Sequence, residues 1–241
     1  MAQYALDRVL SVAGTDAVDG KVLFLADQIV DPSLAFTSET EDIVDAMNNV
    51  VMVLENGRGA TFSASNAFFN TQILAAQVGG EVTTGATEIT KYDILTVGKD
   101  GKATLSATAK GTGAKIYTLA KDGSLTTAEA ADGTIAEGTV TVTGAAEGTK
   151  VLVVYTAEVT ADEKITAFAD AKNKLMNVTA EVLLKELCNE ELYYAYIIMK
   201  GKLSGEAEWG MTRDGNHAFE LRCFPEYCGD KKLVDVVIVK G

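Results

Sequence analysis

Apolar and polar residues alternate over much of this chain with the period of two that is typical of half-buried β-strands. The pattern predicts a short strand over 22–25, a long hairpin over 33–65 and a regular set of strands over 178–241. Asn48 and Asn49 separate the two runs of the hairpin, and asparagine tolerates the left-handed backbone that a tight turn requires. The pattern therefore predicts a mainly β fold.

One segment departs from this period. Residues 61–65 alternate as a strand, and after a short link Asn70 stands where a helix N-cap is expected. Apolar residues then recur at helical spacing until Gly79, which ends the pattern. The sequence therefore predicts one short helix over 70–78.

The section 81–160 is rich in glycine and threonine and contains the turn pairs Asp100-Gly101, Asp122-Gly123 and Asp132-Gly133. Strand-like segments lie between these turns, at 92–97, 103–107, 115–119, 138–143 and 151–156. The spacing fits either an immunoglobulin-like insertion or an irregular continuation of the main sheet. We favour the continuation.

Residues 1–20 contain Gly14, Asp16, Asp19 and Gly20 ahead of the first short strand. Such residues suit a flexible lead-in. We therefore interpret residues 1–20 as an N-terminal arm that waits for a partner, and we expect its deletion to spare the monomer.

The charge balance narrows the classes of partner. Lys and Arg total 21 against 34 Asp and Glu, so the formal net charge of the 241-residue chain is −13. Such a surface repels free nucleic acid and anionic membranes, which argues against ordinary DNA-binding and membrane-binding functions. The sequence shows no basic segment followed by an apolar run and no stretch of about 18 apolar residues, so we expect a cytoplasmic protein without a membrane partner.

No catalytic constellation stands out. His217 is the only histidine and lies beside a predicted turn, where a structural or solvent-facing role is expected. Cys188, Cys223 and Cys228 are an odd set without a second ligand pair, so we expect buried or partly buried thiols and neither a disulfide framework nor a zinc site. The glycine pairs at 57–59 and 111–113 lack the context of a nucleotide loop. We therefore expect no enzyme, no cofactor and no metal.

The aromatic residues are interpreted as packing residues. We expect Tyr193 and Phe224 in the core and Trp209 in the core or in a subunit contact. Glu206 and Glu208 alternate on a predicted strand over 206–212 and are expected to be solvated.

The first strand of the predicted hairpin is acidic. It carries Glu39, Glu41, Asp42 and Asp45 with few apolar neighbours. Because such a strand cannot be buried on both faces, one face must contact water or a water-filled channel.

Two regions carry a family resemblance. The first is the strand-to-helix junction over 61–79, and the second combines the acidic loop 188–193, the long strand that follows it and the Pro-containing block 214–226. Together they resemble the tail tube proteins of long-tailed bacteriophages. The section 81–160 matches only as glycine- and threonine-rich strands.

The resemblance implies a single tail-tube domain over 1–241 with a β-sandwich or barrel-like core, a flanking helix and a long extended hairpin. It implies hexameric rings that stack into a channel for DNA, with residues 1–20 bridging adjacent rings. Glu39, Glu41, Asp42 and Asp45 are then candidates for the lumen or the ring contact. The implied partners are other copies of the chain, a tape-measure protein, a tail terminator and tail-tip or baseplate proteins. The implied location is the virion tail, assembled in the host cytoplasm.

Two other classes of function are compatible with the sequence. An acidic virion-surface or extracellular module for decoration or adhesion would use the middle section as an immunoglobulin-like domain. An enzyme ranks third, because it requires a site that these residues do not offer.

Overall fold

The computed structural model describes residues 3–126, 130–207, 215–225 and 231–241. Their elements, in chain order, are β1 (Tyr4–Asp16), β2 (Val22–Ala26), β3 (Ile29–Val44), β4 (Val50–Asn66), α1 (Thr71–Gln77), β5 (Val82–Thr96), β6 (Lys102–Thr104), β7 (Gly113–Thr118), β8 (Ala131–Ala136), β9 (Thr139–Thr141), β10 (Lys150–Ile165), β11 (Met176–Glu186), β12 (Leu192–Leu203), β13 (His217–Cys223) and β14 (Val234–Lys240). The mainly β fold with one short helix and a long hairpin is confirmed.

The chain divides into two compact units. The first unit contains Met1–Val82 and Ile165–Gly241, and the second contains Thr83–Lys164. Each unit has its own hydrogen-bonded sheet and its own apolar core.

The first unit is built on an eight-stranded sheet in the order β2-β1-β11-β12-β13-β4-β3, with β14 paired to β12. One edge of β12 pairs with β11 along its length. Its other edge is shared, because Tyr193–Met199 pair with β14 and Gly201–Leu203 pair with β13. β13 and β14 therefore follow one another along the same edge of β12.

The core of the first unit lies on one face of this sheet. The ring of Phe219 in β13 is 5.9 Å from that of Phe24 in β2 and 6.3 Å from that of Phe62 in β4, measured between centroids. Since β2 and β13 are not neighbours in the sheet, the sheet must curl for these rings to meet. Other members of the cluster come from nearly every strand and from α1: Val12, Ala26, Ala60, Ala64, Ile73, Met176, Val178, Ala180, Met199, Leu203, Leu221 and Cys223.

The helix forms where the sequence predicted it. The Asn70 side chain accepts hydrogen bonds from the backbone N–H groups of Gln72 (2.9 Å) and Ile73 (3.1 Å), which is the usual geometry of an N-cap. The same side chain donates to the carbonyl of Leu25 (3.0 Å), which holds the helix start against β2. Gly79 has a φ of 67°, which suits glycine after a helix end. The predicted helix over 70–78 is confirmed.

The predicted flexible arm over 1–20 is wrong for Tyr4–Asp16. These residues form β1, which lies between β2 and β11 in the sheet of the first unit, and Val12 is fully buried. Gly14 provides space rather than flexibility, because a Cβ there would clash with the ring of Phe24. Asp16 closes the following turn by accepting from the backbone of Gly20 and Val18. Deleting residues 1–20 would therefore remove a core strand.

The second unit has a six-stranded sheet in the order β5-β10-β7-β8-β9-β6. The favoured continuation of the main sheet is therefore wrong, since this section pairs within itself. The physical reason is that apolar residues alternate along the strands of this section and pack against one another. Ile116, Val151 and Val153 are thereby buried in a core that belongs to the second unit alone. Asp132-Gly133, predicted as a turn, lies inside β8, where the Ile116 side chain fills the space of the missing Cβ.

A buried polar group lies in this second core. The Asp93 carboxylate accepts from the Ser106 hydroxyl (2.7 Å), the Ser106 backbone N–H (2.8 Å) and the Tyr155 hydroxyl (2.8 Å). Burial alone would raise the pKa of Asp93, but these hydrogen bonds and the charge of Lys91 outweigh it, and the pKa is lowered. The network fixes the segment after β6 against β5 and β10.

His217 has a structural role. Its ring is fully buried, its Nε2 lies 2.8 Å from Oε1 of Gln77, and it stacks on Phe69 at 5.6 Å. The Gln77 amide nitrogen in turn donates to the carbonyl of Ala218 (3.0 Å). The imidazole therefore joins the end of α1 to the start of β13.

The stability of the first unit is expected to depend on pH through His217. Burial lowers the pKa of this histidine below its usual 6.5, so its neutral form is favoured in the folded state. Its contribution is therefore complete above about pH 6.5 and is lost as the pH falls below that value, by at most about 1.4 kcal/mol per pH unit. Urea unfolding at pH 7.5 and pH 5.0 measures this loss.

His217→Gln is the matched control, because glutamine can bond to Gln77 but does not titrate in this range. The loss of stability at pH 5.0 should be smaller in the variant than in the parent, since both share all carboxylates. Equal losses in the two proteins would contradict the role assigned to His217.

Candidate functional site

The long hairpin extends beyond the sheet that anchors it. β3 and β4 pair with one another from Ile29 opposite Asn66 to Val44 opposite Val50. Only residues 61–66 of β4 also pair with β13. Residues 37–59, here called the distal hairpin, therefore form a two-stranded ribbon that pairs with no third strand in the described part of the chain. Eight residues of β3 beyond Phe36 give the ribbon a length of about 26 Å.

The distal hairpin exposes apolar side chains on both faces. Residues 50–54, Val-Val-Met-Val-Leu, are between 39 % and 63 % exposed although they are consecutive along one strand. Ile43, Val44 and Met47 add further exposed apolar surface. An isolated two-stranded hairpin is marginally stable in water, and exposed apolar patches of this kind mark interaction surfaces. This surface is the main candidate for a functional site.

The predicted acidic residues lie on this ribbon but do not share one face. Glu41 is opposite Leu54, Asp42 is opposite Val53 and Glu39 is opposite Gly57. Because side chains alternate along a strand, Glu39 and Glu41 lie on one face and Asp42 on the other. A wall built from one face of the ribbon therefore presents only part of the predicted set.

Asp45 belongs to the turn instead of a face. Its carboxylate accepts from the backbone N–H groups of Met47 (2.8 Å) and Asn49 (2.9 Å). Hydrogen bonds from the Asn49 backbone, the Asn49 side chain and the Met47 backbone lower the pKa of Asp45. Asn48 has a φ of 64°, as predicted for this turn. The spacing of Asp45 ahead of two asparagines is typical of such turns and would have identified its role.

β14 is a second exposed apolar surface, which the sequence predicted only as a closing strand. Val236, Val237, Ile238 and Val239 are between 44 % and 56 % exposed. An exposed run of β-branched residues cannot be distinguished from a buried strand by pattern alone.

Those of the remaining candidate residues that the structure describes do not form a chemical site. Cys223 is buried, which raises the pKa of its thiol to about 11, whereas Cys188 is exposed, contrary to the predicted burial. Cys228, Trp209 and Glu208 lie outside the described residues, as do most of the strand predicted over 206–212 and Asp214, the first residue of the block 214–226. In the described ranges no cluster of three His, Cys, Asp or Glu side chains is arranged to hold a metal ion.

The two predicted core aromatics differ in burial. Tyr193 is half-buried and packs edge-on against Tyr4 at 5.0 Å, with its hydroxyl 3.3 Å from Glu186 and Glu191. Phe224 is 39 % exposed, so the prediction of a core position is wrong. It follows the end of β13, where the alternation that buries β13 has stopped.

The one helix of the described residues, α1, is neither long nor apolar enough to cross a membrane.

Comparison with known families gives a match over almost the whole chain. The model of the YomU/Tube protein family matches residues 5–233, a range that includes the second unit, the distal hairpin and the first unit except residues 1–4 and the C-terminal segment with β14. A search of curated proteins gave no match.

Proposed function

This chain belongs to the YomU/Tube protein family of structural phage tail tube proteins, and from that premise we propose that its copies form stacked hexameric rings around a channel through which DNA reaches the host. Both units are then parts of one tube subunit over 1–241. The protein acts by assembly, without catalysis or a cofactor.

The distal hairpin is the observation that carries this proposal. It exposes apolar residues on both faces and pairs with no third strand in the described part of its own chain. Burying one Val, Leu or Met side chain contributes about 1.5–3 kcal/mol. Contacts with other copies would cover these side chains and so favour assembly.

A ring of six subunits is wide enough for duplex DNA. If each copy gives four channel strands about 4.8 Å apart and tilted by about 40°, the barrel is about 48 Å across at the backbone. The net charge of −13 suits such a channel, because a wall that does not attract phosphate lets DNA slide.

The proposed partners follow from this role. Copies of the chain contact one another within and between rings, and a tape-measure protein occupies the channel before DNA. A tail terminator and tail-tip or baseplate proteins cap the ends. The mature location is the virion tail, after assembly in the host cytoplasm.

Sedimentation velocity over a concentration series tests the proposal. We expect a monomer boundary at low concentration to give way to large, uniform species as concentration rises. Negative-stain images of the same samples should show rings or hollow tubes. A single monomer boundary at every concentration would contradict the proposal and favour a surface module.

Charge reversal on one face of the distal hairpin tests whether that face lines the channel. In Glu39→Lys/Glu41→Lys the lysines would hold phosphate, so DNA ejection from particles built with the variant should slow, most strongly at low salt. Folding should be unchanged because both positions are exposed.

The opposite face provides the control. Asp42→Lys changes the other face of the same ribbon and leaves Asp45 in the turn, so only one of the two variants should slow ejection. Normal ejection by both would contradict a lumen position for the distal hairpin.

A further inference from the structure

β14 exposes apolar residues on both sides of the first unit's sheet. Val236 and Ile238 are opposite Ile197 and Ala195 of β12, whereas Val237 and Val239 alternate onto the other face. All four are about half exposed. One edge of β14 pairs with β12, and its other edge pairs with no strand among the described residues. A free apolar edge of this kind is a template for another strand.

The segment that contains β14 is basic, whereas the distal hairpin is acidic. Within the chain Lys232 forms an ion pair with Asp235 (3.4 Å) and Lys240 forms one with Glu191 (2.6 Å), so docking would have the incoming acids share these lysines. Residues 231–240 carry three lysines (Lys231, Lys232, Lys240) and one acid (Asp235), so their net charge is 3 − 1 = +2. Residues 37–59 carry five acids and one arginine, so their net charge is 1 − 5 = −4. In an otherwise acidic chain, this basic strand is complementary to the acidic ribbon.

The two surfaces do not cover one another within one chain. A cleft separates the base of the distal hairpin, at Glu55 and Arg58, from the start of β14, at Leu233 and Val234. The apolar residues 50–54 and 236–239 both stay exposed across it. Each surface is therefore free to meet its complement on a second copy.

We propose that β14 is the docking strand for the distal hairpin of a second copy. The free edge of β14 pairs with the free edge of β3 of that copy, and the valine-rich faces pack against the ribbon's apolar side chains. Lys232 and Lys240 lie near the acidic residues of the incoming β3. This inference rests on the proposed function, because it assigns the receiving surface for assembly.

The kind of symmetry follows from the two surfaces. Because the distal hairpin and β14 are different patches, their contact is heterologous, and repeating it generates a closed ring or a helical stack. A two-fold dimer would need each patch to meet itself. The proposed contact therefore supports the growth of a tube from identical subunits.

Charge reversal tests the docking strand. In Lys232→Glu/Lys240→Glu we expect the concentration needed for assembly to rise at least about 10-fold, because like charges would then face each other. Adding Glu39→Lys/Glu41→Lys should restore much of the loss. On its own, Glu39→Lys/Glu41→Lys should raise the concentration needed for assembly in the same way, so its particles for the ejection measurement are assembled above that concentration. The control Lys99→Glu/Lys121→Glu changes two exposed lysines of the second unit by the same total charge and should assemble like the parent.

Cross-linking in trans gives an independent measurement. One preparation carries Ile43→Cys, on β3, and the other Val237→Cys, both in a Cys188→Ser/Cys228→Ser background, and the two are mixed before oxidation. Because a disulfide needs Cα atoms within about 7 Å, a covalent dimer should form only in the mixture. Leu125→Cys, also exposed but in the second unit, replaces Val237→Cys in the control.

The outcomes separate the two proposals. The parent could assemble while Lys232→Glu/Lys240→Glu assembles equally well and no cross-link forms. That result would overturn the docking role of β14 but would not contradict the proposed tube. Failure of the parent itself to assemble would overturn the proposed function. Weakened assembly, rescue by the second charge reversal and a cross-link confined to the mixture would support both.

Discussion

Replacing residues 40–56 by Asn-Gly is expected to abolish tube formation and to leave the first unit folded. The new turn would join Glu39 to Gly57, which already face one another across the ribbon, with a two-residue connection suited to a hairpin. The replacement removes the exposed Val-Val-Met-Val-Leu run and most of the acidic residues. Negative-stain images should show no tubes at 100 times the concentration at which the parent assembles.

The stability of this variant separates assembly from folding. Because the removed side chains whose burial the structure describes are exposed, except for the half-buried Asp45 of the turn, the free energy of unfolding should change by less than about 1 kcal/mol. Leu125→Ser, which removes an exposed apolar residue of the second unit, serves as the control and should assemble normally. Tubes formed by the shortened chain would contradict the role of the distal hairpin.

Phe219→Ala is expected to destabilise the first unit strongly. The ring is buried where those of Phe24 and Phe62 meet it, so its removal leaves a cavity that the curled sheet cannot easily close. Such substitutions cost about 3–5 kcal/mol, a large part of the 5–15 kcal/mol that stabilises a typical domain. Urea unfolding monitored by circular dichroism measures the loss, and assembly should fail with it.

Phe36→Ala is the matched control because this ring, on β3 of the same sheet, is 64 % exposed. Its free energy of unfolding should stay within about 0.5 kcal/mol of the parent. A loss below about 1 kcal/mol for Phe219→Ala would contradict the curled core described for the first unit.

The local elements followed from the sequence because their causes are local. Asn48 sets the hairpin turn, Asn70 caps the helix through its own side chain, and Gly79 ends it with a positive φ. The alternation over 178–241 also predicted a set of strands, and β12, β13 and β14 lie within that range. These elements depend on residues within a few positions of one another.

The errors arose where a glycine or a strand depends on distant residues. Gly14 was interpreted as a flexible lead-in, but it makes room for the Phe24 ring of the neighbouring strand. Gly133 was interpreted as a turn, but Ile116 fills the space beside it. The second sheet is separate because its strands pair only with one another. Alternation of apolar and polar residues predicts that a segment is a strand, but it does not predict which strand it pairs with.

Only part of the candidate site was predicted, because the burial of its apolar residues also depends on distant partners. The acidic residues of β3 indicated an exposed ribbon, and the structure places them there. The run at 50–54 and the valines of β14 have the composition of buried strands, yet both are exposed in the single chain. The pattern of an apolar run indicates that its side chains become buried. The pattern is the same whether residues of the same chain or of another copy bury them.

Cryo-electron microscopy of the assembled protein tests the central claim most directly. We expect a hollow tube with six subunits per ring, a channel wide enough for duplex DNA and the distal hairpin in contact with other copies. A solid filament, a ring of different symmetry with a channel too narrow for DNA, or tubes whose distal hairpins contact only solvent would contradict it.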